Sequence, residues 1–190
     1  ESKLEEFNKI FTNNDIEVLS LKSFTKYEPI ENGSSFKDNA LIKARFASEL
    51  TSNCYPTVAD DSGICIDNLD GAPGIYSARW AYKKNYNFAF DKIKKHLNEK
   101  GLNLNGHHAK FVCVLALIDK KKNEFVFKGT LKGKIVFPPR GKNGFGYDPI
   151  FIPLNFNKTL AQFNSSFKNS ISHRKKALVK LLKHSLFKKL

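Results

Sequence analysis

Two adjacent carboxylates, Asp60 and Asp61, stand in the segment Ala59-Asp60-Asp61-Ser62-Gly63. Paired acids at the end of a strand are costly unless a cation or hydrogen-bond donors balance them. Successive strand residues point to opposite faces, so at most one of the two enters a shared site. A carboxylate facing a phosphate calls for a cation between them, and Mg²⁺ takes one or two carboxylates together with phosphate oxygens and water. Three further loops carry ionisable groups among glycines. Glu31-Asn32-Gly33-Ser34-Ser35-Phe36 leads into a helical stretch in which Asn39 and Lys43, four apart, share a face. Standing alone, it reads as a helix N-terminus capped by Ser34 or Ser35. Gly71-Ala72-Pro73-Gly74-Ile75-Tyr76-Ser77-Ala78-Arg79-Trp80 fixes a tight backbone path, and its Arg79 can reach an anion or simply sit in solvent.

The fourth loop, Pro139 to Pro149, alternates glycines with aromatics around Gly144-Phe145-Gly146-Tyr147-Asp148. A packed core does not favour that alternation. Gly144 and Gly146 let backbone approach a ligand closely, and Phe145 or Tyr147 offers a ring on which a base can stack. Downstream, Lys168-Asn169 and Ser172-His173-Arg174 place donors at a helix start that Ser172 can cap; a solvated basic helix start is the plain alternative. Taken together, acids for a metal, lysines for phosphates, an aromatic Gly-rich loop for a base and a His-Arg pair for its edge describe a nucleotide site. No Gly-x4-Gly-Lys-[Ser/Thr] phosphate loop, no Gly-x-Ser-x-Gly elbow and no zinc spacing around His107-His108 or the cysteines is present.

The elements that must hold these loops alternate along the chain. Helical spacing predicts helices over residues 3–12, 36–50 and 86–98, and from Ser172 onward. Strands are expected at Ile16–Leu21, at Thr57–Ala59 and Ile64–Ile66 flanking an acidic turn, at Phe111–Ile118, and over Glu124–Phe137, weakened by Gly129 and Gly133. Interleaved strands and helices give an α/β class, and 190 residues suit one domain without repeats or linkers. Lys plus Arg number 32 against 18 Asp plus Glu, a net +14, with the lysines scattered or in short runs. That reads as a solvated surface: no nucleic-acid-binding motif accompanies the charge, and no nucleic-acid partner is expected. Three widely spaced cysteines, the lack of a membrane-spanning apolar run and the lack of a signal-peptide pattern predict a cytoplasmic protein.

These segments in this order resemble the inosine triphosphate pyrophosphatase family. The resemblance rests on Glu31-x-Gly33, Phe36-x-x-Asn39-Ala40 with Lys43-Ala44, Ala59 to Gly63, Gly71 to Arg79, Gly144 to Phe151, and Lys168-Asn169-x-Ile171-Ser172-His173-Arg174. It covers essentially the whole chain. It implies a mixed elongated sheet with flanking helices, two lobes around a nucleotide-binding cleft, and a homodimer. It also implies cleavage of ITP, dITP and XTP between the α- and β-phosphates, giving the monophosphate and pyrophosphate with Mg²⁺. By that resemblance Asp61 is the catalytic carboxylate, and Glu31 and Asp61 hold the metal. Lys3, Lys43 and Ser62 lie on the phosphate side, and Phe145, Gly146, Tyr147, Asp148, Lys168, His173 and Arg174 on the base and sugar side. The family's opening strand and the Thr/Ser-x-Asn part of its phosphate loop have no counterpart before Lys3, and the sequence holds no Met, so the natural chain is expected to be longer. Gln162 stands where the family often has Glu. A pyrophosphatase for modified pyrimidine nucleotides and a basic nucleic-acid-binding module without turnover are the competing readings.

Overall fold

The computed structural model describes Asn8, Phe11 and residues 16–187. The apolar run Phe111–Ile118 lies inside β2 (His108–Ile118), and β2 is buried along nearly its whole length because other elements cover both of its faces. On one side it pairs with β1 (Thr57–Ile66) and on the other with β3 (Glu124–Ile135), to which β4 (Phe151–Pro153) adds the last strand. The α/β class holds, but all three ladders among the described residues are antiparallel. β2 and β3 meet through a short turn in which the Asp119 carboxylate accepts hydrogen bonds from the Lys121 and Asn123 amides.

β1 corrects one expectation. The two short strands flanking an acidic turn are a single ten-residue strand that runs through Asp60-Asp61-Ser62-Gly63. Asp and Gly are poor strand formers, but an unbroken ladder to β2 pairs Asp60 with Leu115, Asp61 with Val114, Ser62 with Cys113 and Gly63 with Val112. The strand expected at Ile16–Leu21 does not form. Ile16–Ser20 has no regular structure and runs into a 3₁₀ turn, Leu21–Ser23, whose first amides Ser20 caps. No described strand offers that segment a ladder. Of the helix expected over 3–12, only Asn8 and Phe11 fall among the described residues, both helical.

Four helices with defined bounds accompany this sheet among the described residues. In α1 (Phe36–Leu50) the Ser35 hydroxyl caps the first turn, accepting from the Asp38 amide. Its fully buried Ala40 and Ala44 let the helix approach Val112, Val114 and Ala116 on one sheet face. α2 (Tyr86–Glu99) buries Phe90, Ile93 and Leu97, the stripe its periodicity predicts. Short α3 (Ser165–Ile171) precedes α4 (His173–Leu182), which Ser172 caps through the Lys175 amide. Leu178 and Leu181 of α4 are fully buried against Leu115 and Leu117 on the opposite sheet face, worth about 1.5–3 kcal/mol each relative to exposure. Gly129 does not weaken β3. It makes room, because a Cβ there would strike the α4 backbone at His173 and Ala177.

The cores succeed one another along the sheet. α1 and α4 sandwich one end, while α2, Tyr147, Ile150 and Phe151 pack around Ile64, Ile66 and Phe111 at the other. On the α4 face of β1, Val58 belongs to the first core and Ile64 to the second. Asp60, between them on that face, therefore falls at the junction.

Candidate functional site

Alternation along β1 decides which acid goes where. Ala59 packs with α1 and Val58 with α4, so Asp61 faces α1 while Asp60 and Ser62 face α4.

On the α1 side, Lys43 Nζ lies 2.8 Å from Glu31 Oε1 and 2.9 Å from Asp61 Oδ1, bridging the two carboxylates. Glu31 comes from the loop before α1. Asn39 holds that loop by accepting the Gly33 amide at 2.9 Å, and Arg79 holds it by donating to the Glu31 carbonyl at 2.6 Å. The Arg79 guanidinium also lies 3.8 Å from the Glu31 carboxylate and over the Tyr76 ring. Burial opposes the Lys43 charge, but the hydrogen bonds and charges of Glu31 and Asp61 outweigh it and keep its pKa above the ordinary lysine value. Burial pushes the Asp61 pKa up, and Lys43 offsets this only in part. Asp61 is thus a more basic carboxylate than one in water, held beside a fixed ammonium group.

Asp61 Oδ2 is buried without a hydrogen-bond partner, the kind of atom a cation or an ordered water satisfies. Glu31 and Asp61 are two oxygen donors of the type Mg²⁺ accepts, and among the described residues no cluster of three or more metal-ligating side chains exists. Any Mg²⁺ here would complete its shell with substrate phosphates and water, which is its usual habit.

On the other side, Asp148 is buried and accepts from the Phe145 amide at 3.0 Å and from Lys168 Nζ at 3.1 Å. Burial raises its pKa against the pull of Lys168 and Arg174. The carboxylate needs Gly144, at φ +80°, because a Cβ would press on Asp148 Oδ2. Gly146 has φ +68°. Between them Phe145 is 53% exposed, with the Lys168 ammonium 4.9 Å from its ring centre. Tyr147 offers no such face. It is buried, its hydroxyl donates to the Ser77 carbonyl at 2.8 Å, and Tyr86 packs edge-on against it. At the head of α4, His173 stacks on Phe111 with a 13° interplanar angle, and the buried Arg174 guanidinium lies 3.9 Å from Asp60 Oδ2.

The structure therefore brings Glu31, Lys43 and Asp61 together on one face of β1. It gathers Phe145, Asp148 and Lys168 in a second cluster and sets Arg174 against Asp60. Ser62 does not join Lys43: its hydroxyl donates to Asp60 Oδ2 at 3.0 Å on the far face of the strand. Lys3 lies outside the described residues. Ser77, in the sequence only a member of the Gly71–Trp80 turn, has a hydroxyl that accepts from the Ile64 amide and donates to the Gly74 carbonyl while its carbonyl receives Tyr147, tying β1 to two loops. The adjoining Gly63 has no space for a Cβ against Gly74 and Ser77. A lone serine in a Gly-Pro turn carries no sequence signal for that role. A cavity of about 610 Å³ opens beside β1; its lining is largely apolar, and Glu31, Lys43 and Asp60 contribute charged groups to it.

The chain is 39% identical over 183 residues to a dITP/XTP pyrophosphatase of Zymomonas mobilis, covering 96% of this chain and 86% of that one. It is 43% identical over 169 residues to one of Campylobacter jejuni subsp. doylei, covering 86% and 83%. Among solved structures, a HAM1 protein from Coxiella burnetii superposes with a TM-score of 0.85 at 37% identity, covering 94% of this chain and 90% of that one. The Staphylococcus aureus Ham1 protein gives 0.80 at 39% identity, with coverages of 94% and 90%. The Ham1 family model matches residues 1–184, nearly the whole chain, and this protein belongs to the Ham1 family.

Proposed function

We propose that the protein hydrolyses non-standard purine nucleoside triphosphates of the ITP, dITP and XTP class to the monophosphate and pyrophosphate. The observation that carries this reading is the Glu31–Lys43–Asp61 array, set in a chain whose relatives are dITP/XTP pyrophosphatases. Phosphoanhydride hydrolysis depends on positioning and charge neutralisation more than on covalent chemistry. Lys43 neutralises phosphate oxygens. Asp61, made more basic by burial, takes a proton from the water that attacks the α-phosphorus, and the bond to the bridging oxygen breaks with pyrophosphate leaving. Glu31 and Asp61 would hold Mg²⁺, whose chemistry is to neutralise the polyphosphate and polarise its oxygens.

The exposed Phe145 ring stacks on the base, while Lys168, His173 and Arg174 supply donors for a 6-keto oxygen that adenine lacks. A site built on such hydrogen bonds rejects an analogue that leaves them unpaired. Among the described residues no helix is long and apolar enough to cross a membrane, which fits action on the nucleotide pool of the cytoplasm, and the resemblance supports a homodimer. The decisive assay is pyrophosphate release by the full chain with Mg²⁺ from ITP, XTP, dITP, GTP, ATP and dUTP. Preference for the first three supports the proposal. Preference for dUTP, or salt-sensitive nucleic-acid binding without turnover, overturns it.

A further inference from the structure

Hydrolysis as proposed engages one of the two adjacent carboxylates, Asp61. Asp60 lies on the opposite face of β1, at the junction of the two cores, where the head of α4 packs. Its neighbour there is Arg174, whose side chain is only 6% exposed. A guanidinium so far from water needs a compensating charge, and without one it moves or drags the helix head with it. Asp60 Oδ2 lies 3.9 Å from Arg174 Nη2 and accepts the Ser62 hydroxyl at 3.0 Å, a second tie on the carboxylate from the same face of β1. Arg174 is held from its own side too, since Ser172 caps the α4 turn that carries it. Its charge also acts on Asp148, whose carboxylate binds Lys168. Arg174 is thus set between a β1 carboxylate and the Asp148–Lys168 pair beside Phe145.

We infer that Asp60 is a positioning residue for base selection: it fixes Arg174 toward the purine. The two adjacent acids then divide the work by strand alternation, Asp61 serving the phosphates and Asp60 the base. This rests on the nucleotide reading of the site, and it predicts a defect in discrimination where an ordinary catalytic acid gives a defect in rate.

The test compares Asp60→Asn, Arg174→Ala and the double variant Asp60→Asn/Arg174→Ala, which removes both charges and so guards against misfolding caused by a buried unpaired guanidinium. Two readouts are taken on the full chain: the ITP/ATP ratio of kcat/KM, and equilibrium binding of IMP against AMP by calorimetry, which needs no turnover and no metal. We expect Asp60→Asn to narrow both ratios about tenfold, Arg174→Ala ten- to a hundredfold, and the double variant no further than Arg174→Ala, since the two residues act as one unit. Equal loss of ITP and ATP turnover in Asp60→Asn, an unchanged IMP/AMP ratio, or additive effects in the double variant would each overturn the inference. A wild-type chain that prefers IMP to AMP but releases no pyrophosphate defeats the catalytic proposal instead, and the binding ratios still decide the role of Asp60.

Discussion

Replacing Lys43 with methionine keeps the length of the side chain and removes its charge from between Glu31 and Asp61. At 2.8 and 2.9 Å, each pair carries about 6 kcal/mol of gross Coulomb attraction at an effective dielectric near 20. Most of this is cancelled by desolvation. Breaking a buried pair typically costs about 3–5 kcal/mol because the partner is left uncompensated. Lys43 is 21% exposed and Glu31 32%, so water relieves part of the strain, and about 2–3 kcal/mol is the expected net loss. For a chain of this size that corresponds to a fall in Tm of about 4–12 °C at neutral pH. The deficit should shrink in acid, where Asp61 protonates and no longer needs the ammonium group. Activity should change in a diagnostic way. Lys43 is what pulls the Asp61 pKa down against burial, so without it the acid limb of the kcat/KM–pH profile for ITP must move to higher pH. The rate on the plateau should fall about 10²–10³-fold, as for other single charge-stabilising contacts in active sites. Thermal melts at several pH values and a pH–rate profile on ITP read all three effects. An acid limb that stays in place or moves to lower pH would show that Lys43 does not control Asp61, and the assignment of Asp61 as base would fall with it.

Asp61→Asn should lose turnover about 10²–10³-fold without a fall in Tm. The folded pKa of Asp61 is raised, so its ionised form burdens the fold and stability declines as pH rises through that pKa; a large drop in Tm would contradict this. Phe145→Ala should raise KM for purine triphosphates by roughly tenfold or more, since stacking is worth about 1–3 kcal/mol, with kcat largely spared. Tyr147→Phe should leave base preference intact and cost about 1 kcal/mol in denaturant melts through the lost bond to the Ser77 carbonyl; an altered ITP/ATP ratio would mean that Tyr147 touches the base. Gly129→Ala should destabilise by about 1–3 kcal/mol, because its Cβ would meet the α4 backbone; a neutral melt would show that α4 can shift.

Local signals made the helices legible. The stripe Phe90, Ile93 and Leu97, the small residues Ala40 and Ala44, and the caps Ser35 and Ser172 act within a turn or two of their own position, so α1, α2 and α4 could be placed from spacing alone. The chemistry of the site is also written locally, in clustered acids, glycines and aromatics that together point to a nucleotide. What the sequence could not express was partnership between distant residues. Asp60 to Gly63 reads as a turn because Asp and Gly avoid strands; only the ladder to Leu115, Val114, Cys113 and Val112 makes it a strand. Ile16–Leu21 reads as a strand from its own residues, but a strand exists only where another offers hydrogen bonds. Once β1 is continuous, alternation sends Asp61 to Lys43 and Asp60 to Arg174, 114 positions further along. Tyr147 and Phe145 look equivalent in the sequence. Burial beside Tyr86 and the Ser77 carbonyl takes the first ring out of reach and leaves the second exposed, a distinction that depends on three segments meeting and so belongs to the tertiary structure alone.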